Sequence, residues 1–192
     1  MVIKHKKYED ILNTARNLFW KHGFKRVSIE EICRKADVSK MTFYRFFPNK
    51  IELARCVFDT EARKGVVEFK KIMQEKTTPA EKMNKIMLLK FNGTMDISQE
   101  FLADFYSNPE LGLKDHIENT TGNLWMEIME DFKRAQESGY FRRDFKPELI
   151  WYLAQKMMEM INDENLLILF GNPHEMIMEL ASFFVYGISP HE

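Results

Sequence analysis

Cysteine is nearly absent from these 192 residues: Cys33 and Cys56 are the only two, and neither stands in a CxxC or a Cys/His cluster of metal-ligand spacing. A disulfide framework and a thiolate metal centre are excluded, and both residues sit on apolar helical faces where a buried free thiol is expected. No run of about 18 uncharged apolar residues occurs, so no membrane span is expected. The opening MVIKHKKYED has no apolar region ahead of a cleavage site, which points to a cytoplasmic protein. No segment alternates with period two for long enough to propose a sheet. Catalytic patterns are missing as well. His5, His22, His116, His174 and His191 are scattered, with no HExxH, no paired Glu-x-x-His of a di-iron bundle and no glycine-rich phosphate loop. Neither an enzyme nor a cofactor is expected.

What remains is an all-α pattern with strongly uneven charge. Residues 1–55 carry 13 Lys and Arg against 6 Asp and Glu, whereas residues 56–192 carry 15 against 23, and the net charge of −1 conceals the contrast. A basic N-terminal segment suits a polyanion such as DNA, provided that a fold presents it. Ser28–Lys50 supplies that fold. Ser28 is placed to cap the amide of Glu31, with Glu31 reaching back to Ser28, and Ile29, Ile32, Cys33 and Ala36 follow at helical spacing. Ser39 then caps a second short helix through Phe46, which Pro48 ends. Two helices this short, joined only around Asp37-Val38, cross steeply as a helix-turn-helix. Ahead of them Tyr8, Ile11, Leu12, Ala15, Leu18 and Phe19 form the stripe of a first helix stopped at Gly23, and Lys4, His5, Lys6 and Lys7 are expected as a frayed tail.

Residues 11–53, ILNTARNLFWKHGFKRVSIEEICRKADVSKMTFYRFFPNKIEL, closely resemble the DNA-binding domain of the tetracycline-repressor (TetR) family of bacterial transcriptional regulators. Ala15, Phe19, Gly23, Ser28, Ile32, the Ala36-Asp37-Val38-Ser39 turn, Tyr44-Arg45-Phe46-Phe47, Lys50 and Leu53 carry the likeness. Met41 departs from it, standing where members often have glycine or a small residue. In a helix-turn-helix the N-terminal residues of the second helix face base edges in the major groove. Lys40, Met41 and Thr42 occupy that turn; Met41 and the Thr42 methyl suit a thymine methyl, and the Thr42 hydroxyl suits a base or a phosphate. Tyr44 and Lys50 fit phosphate anchors, the role that the resemblance assigns them. Ser28 serves either as a cap or as a further phosphate contact. Phe43, Phe46 and Phe47 are expected in the core.

From Lys50 a long helix runs to about Thr77-Thr78-Pro79, followed by helices from Pro79 to Asn92-Gly93, from Phe101 to Tyr106, and through Leu124 to Gly139. GYFRRDFKPE, residues 139–148, resembles the family's link between its seventh and eighth helices. The expected architecture is therefore a helix-turn-helix domain over 1–48, joined by the long helix to a ligand-binding and dimerisation domain over 49–192, about nine helices in all. The last two helices, from Leu149 to Ile161 and from Asn172-Pro173 onward, are apolar almost all round and need a second buried side. The resemblance favours a homodimer over a monomeric bundle, with Leu153, Met157, Met160, Ile161, Ile177, Leu180, Ala181 and Phe184 at the interface. It also implies an effector pocket, for which Phe91, Met95, Phe105, Trp125, Met129 and Phe132 are the candidates, although core packing explains each of them equally well. Most of the 13 methionines fall between Met73 and Met160, a lining that adapts to a largely apolar small molecule. Glu127 or Glu159 would answer a cationic one. The implied function is a ligand-responsive regulator, a repressor above all, binding a palindromic double-stranded DNA operator as a homodimer. An all-helical enzyme and a protein-binding adaptor are the alternatives from other classes.

Overall fold

The computed structural model describes residues 2–106, 108–160 and 163–190, without the side chains of Val2, Ile3, Lys4, Met158, Glu159 and Glu164. Among the described residues there are ten α-helices and no strand: α1 Val2–Arg26, α2 Ile29–Lys35, α3 Lys40–Phe46, α4 Lys50–Gln74, α5 Pro79–Thr94, α6 Gln99–Tyr106, α7 Leu113–Glu137, α8 Pro147–Met160, α9 Glu164–Leu169 and α10 Pro173–Gly187. The chain divides into two compact units, Met1–Glu61 with Asp96–Asn119, and Ala62–Met95 with Thr120–Glu192. These packing units differ from the linear boundary expected at residues 48/49. The reason lies in α6, whose apolar side belongs with α1.

In the first unit Ile11, Ala15 and Phe19 of α1 are completely buried, together with Ile32 of α2, Phe43 of α3 and Leu53 of α4. The stripe read from sequence is therefore the stripe that packs. Gly23 breaks the helical geometry with φ 77° and ψ 174°, a conformation open to glycine, and the chain resumes helical hydrogen bonding up to Arg26. The basic residues expected as a tail are instead helical, since α1 begins at Val2. Helix α6 places Phe101 and Phe105 one turn apart, stacked at 4.4 Å, and Phe101 lies 4.4 Å from Trp20 of α1. Phe105 also meets Phe19 and Phe24 at 6.1 and 6.3 Å.

The second unit packs around Phe69, Met83, Phe132, Ala135, Phe141, Ile150 and Val185, drawn from α4, α5, α7, α8, α10 and the α7–α8 connection. Helix α4 ends at Gln74, slightly short of the threonine pair, because Thr78 caps α5 in a full capping box with Glu81 and Pro79 occupies its first turn. Helix α5 then runs through Asn92-Gly93 instead of breaking there; Gly93 is exposed and helical, and a single helical glycine is tolerated. Helix α9 was not anticipated: Asp163 caps it by accepting from the amides of Asn165 and Leu166 at 2.8 and 3.3 Å.

Lys82 has no solvent exposure. Its ammonium donates to the carbonyls of Ile72, Met73 and Glu75 at 2.6, 3.0 and 2.7 Å and lies 4.2 Å from the Tyr140 ring centroid. All three N–H groups are used, on carbonyls in the last turn of α4 and just past its end, where a cation is favoured by the helix dipole. Lys82→Met keeps most of the volume but strips the donors, and is expected to lower the unfolding free energy by about 2 kcal/mol, read by urea denaturation.

Candidate nucleic-acid interface

Helices α2 and α3 are seven residues each, too short to be stable alone, so local caps and one buried anchor define them. Ser28 Oγ accepts from Glu31 N at 3.1 Å. The reciprocal half of the expected box is not made, because the Glu31 carboxylate pairs with Lys35 Nζ at 3.2 Å, one turn on. Asp37 turns the chain with φ 52°, and Val38 N donates to Cys33 O at 3.0 Å. Ser39 Oγ then accepts from Thr42 N at 3.1 Å and lies 3.0 Å from the Thr42 hydroxyl. Phe47, extended ahead of Pro48 at φ −130° and ψ 119°, ends α3, and Asn49 Oδ1 accepts from Glu52 N at 2.9 Å to begin α4.

Phe43 is 0% exposed and holds α3 to the core, while Met41 is 79% and Tyr44 53% exposed. Met41 and Tyr44 are the large exposed apolar side chains of α3. Lys40, exposed beside Met41, is ion-paired with Glu30 of α2. The Lys40 ammonium holds the Glu30 carboxyl below its usual range, and Glu30 holds Lys40 above its own. Ser28, Lys40, Met41, Thr42 and Tyr44 thus belong to one helix pair. Lys50 is employed differently: its ammonium donates to the carbonyls of Phe24 and Val27, both at 2.8 Å, and sits 4.2 Å from the Phe24 ring centroid. Burial pushes its pKa down, against an upward pull from Asp104. Two of its three donors are engaged inside the protein, so its sequence assignment as a phosphate anchor leaves at most one N–H for DNA.

The six effector candidates fall in both units. Phe105 is fully buried in the first unit by the α1 aromatics, and the other five belong to the second unit. Trp125 stacks on Phe132 at 5.5 Å, and Phe132 on Phe69 at 5.4 Å, so the buried Phe132 and its half-buried neighbour Trp125 are filling core space. Met129 is half-buried, while Phe91 and Met95 are exposed on and just after α5. Sequence reading missed His174, whose ring meets Phe91 edge-on at 4.7 Å and whose Nδ1 lies 3.0 Å from Thr94 Oγ1. Thr94 donates its own proton to Lys90 O at 2.9 Å, so His174 Nδ1 is the donor in that pair. Glu127 is taken up by Lys70 Nζ at 2.7 Å and by Arg63.

Among the interface candidates Ile177 is 5% exposed and is buried within the chain itself, and Phe184 packs against the buried cluster of the second unit. Both corrections follow from the rotation of α10. Leu153 and Met160 are exposed, Met157, Leu180 and Ala181 are half-buried, and Ile161 lies outside the described residues. Phe183 and Tyr186, 72% and 63% exposed, and the exposed Leu149 and Tyr152 had not been singled out.

Two capped short helices joined by a tight turn, with Phe43 of α3 buried and Met41 and Tyr44 exposed, have the geometry of a helix-turn-helix. Residues 11–57 match the model of the bacterial regulatory proteins of the tetR family. Over 185 residues the chain is 24% identical to the uncharacterized HTH-type transcriptional regulator YdgC of Bacillus subtilis, covering 94% of this chain and 91% of that protein. The solved structure of the fatty acid degradation regulator FadR from Bacillus halodurans superposes with a TM-score of 0.65 at 20% identity, over 94% of this chain and 95% of that one. A putative transcriptional regulator from Saccharomonospora viridis in complex with choline gives 0.64 at 16% identity, over 96% and 98%. Residues 11–57 are thus similar to the DNA-binding segment of the tetR family of bacterial regulatory proteins, and the solved structures share the fold of the chain. No helix among the described residues is long and apolar enough to cross a membrane.

The Lys70 and Arg63 contacts hold the Glu127 carboxyl below its usual range. A depressed folded pKa contributes stability that is present above the unfolded value of about 4.3 and is lost as pH falls through the folded one. Glu127→Gln is therefore expected to be less stable than wild type near neutrality and to converge with it in acid, as thermal midpoints measured against pH will read.

Proposed function

We propose that this chain is a cytoplasmic, ligand-responsive repressor that binds a palindromic DNA operator as a homodimer and is released by a small, largely apolar molecule. Residues 1–48, together with Lys50, make the DNA contacts, and the rest of 49–192 binds the effector and the second copy. The observation that carries this reading is the division of α3 into a buried Phe43 and an exposed Lys40, Met41 and Tyr44, at the N-terminal end of a capped helix. Lys40, Tyr44, Thr42 and Ser28 supply ammonium and hydroxyl donors for phosphates, and Met41 with the Thr42 methyl an apolar edge for a thymine methyl. Lys50 adds one remaining N–H.

A palindrome needs two reading heads related by a two-fold axis. The exposed Leu149, Tyr152, Leu153 and Met160 of α8 with Phe183 and Tyr186 of α10 favour these helices as the self-complementary face. For the effector, exposed Phe91 and Met95 and half-buried Met129 remain the better candidates, with Trp125 and Phe132 behind them. The relatives named for fatty acid degradation and for choline differ in chemistry, so the class rests on this chain's methionine and aromatic content. An effector releases DNA only through unequal affinity for the two states, a coupling of roughly 1–3 kcal/mol in typical cases.

Binding to the DNA upstream of its own gene, followed by anisotropy against salt, tests the reading. Log affinity should fall steeply and linearly with log salt; Lys40→Ala should weaken binding with a slope shallower by about 1 per half-site, whereas Tyr44→Phe should weaken it with the slope unchanged, because a neutral hydroxyl displaces no counterion. Absent or salt-independent binding rejects DNA as the partner. Phe183→Glu should give monomers in sedimentation and binding at a single half-site; an unchanged dimer would move the interface elsewhere.

A further inference from the structure

The junction between α1 and α2 is held from outside itself. At Gly23 a Cβ would stand 2.8 Å from Asp104 Oδ2 and 2.9 Å from Glu100 O, so α6 lies directly against the break. The break withdraws the amide that would ordinarily serve the Trp20 carbonyl four residues back, and Ser98 N, just ahead of α6, donates to that carbonyl at 2.9 Å. One turn into α6, the buried Asp104 carboxylate accepts from Lys25 N at 2.8 Å, and Arg26 pairs with Glu100 at 2.8 Å. From its other side the junction receives Lys50, on the carbonyls of Phe24 and Val27. Ser28, the cap of α2, follows Val27 immediately, so whatever fixes Trp20–Val27 also fixes where α2 and α3 begin.

We infer that α6 is a working part of the DNA-reading head and that Asp104, 54 residues beyond Lys50, is a positioning residue for DNA binding. This inference rests on the DNA-binding reading above. Asp104 touches no DNA in this scheme. Its carboxylate satisfies a backbone N–H that the glycine break leaves open, and thereby keeps the junction in the conformation that presents α3. Without it Lys25 N–H is an orphan donor in a partly buried place, and the competent conformation becomes a smaller fraction of the population. Apparent affinity then falls by that fraction, while the phosphates engaged in the competent state, and hence the salt slope, stay the same. Loss of a cationic phosphate contact does the opposite, flattening the slope.

The test uses the full-length protein and its own upstream DNA. Asp104→Ala is expected to weaken binding about tenfold with an unchanged salt slope, and Asp104→Asn, which keeps an acceptor oxygen for Lys25 N–H, to recover most of that loss. Amide hydrogen exchange supplies a second reading that does not depend on the variant folding: in the wild type the Lys25 amide should be protected well beyond its exposed neighbours. Wild-type affinity in Asp104→Ala, a flattened slope, an Asn variant as weak as the Ala variant, or an unprotected Lys25 amide in the wild type would each overturn the inference. Failure of the wild type itself to bind DNA with salt dependence would instead reject the underlying reading, and is distinguishable because Lys25 protection is measured without DNA.

Discussion

The shortness of α3 is the constraint on which the rest of the reading head depends. Seven residues close too few hydrogen bonds to offset the cost of starting a helix in water, so α3 exists only because its surroundings hold it. Ser39 fixes its first turn, Pro48 its last, and Phe43 inserts into a core that α1 and α4 supply. A helix held by the buried Phe43, by Phe46 against Tyr8, and by its two ends is free to spend the remaining positions on the outside. That is why Lys40, Met41 and Tyr44 can be solvent-facing without cost to the fold, and why the same seven residues read as an interface.

The parts of this arrangement that were legible in sequence are those whose determinants are close together along the chain. Ser28 and Ser39 stand three residues before the amides they cap, Pro48 acts on its neighbour, and the α1 stripe is a matter of three- and four-residue spacing. The contacts that escaped are non-local. Lys50 looked like a free cation because nothing nearby in sequence reveals the carbonyls of Phe24 and Val27, and Phe105 looked like a pocket residue because its partners Phe19 and Phe24 lie far back in the chain. Helix α9 failed for another reason: six residues ending in an unbroken run of four Leu and Ile give no periodicity to count, and only the Asp163 cap marks its start.

The same distinction explains why the compact units ignore the boundary at 48/49. Sequence divides a chain where composition or turns change, but packing divides it where apolar faces meet. Helix α6 has Phe101, Leu102 and Phe105 buried, and its neighbours are the aromatics of α1. Helices α4 and α7 each run from one unit into the other, so both units are built on shared helices and neither is a linear segment. A boundary drawn for function, around the residues that would touch DNA, and one drawn for packing are different objects here, because the support for the reading head comes from chain well beyond it.

The proposed dimer face illustrates what periodicity can and cannot decide. In α10 almost every position outside Glu175, Glu179 and Ser182 is apolar, so the pattern requires two buried sides without saying which residues occupy which. Burial within the protomer separates them: Met176, Ile177 and Val185 are consumed internally, and Phe183 and Tyr186 are not. Glu175, Glu179, Phe183 and Tyr186 recur at helical spacing on one exposed side, which is polar only in its first half. On α8 the exposed Leu149, Tyr152, Leu153 and Met160 repeat at the same spacing. Large rings left open in this way carry a hydration cost that a second copy offering the same side chains would relieve, and a self-complementary surface of that kind is the form a two-fold axis demands.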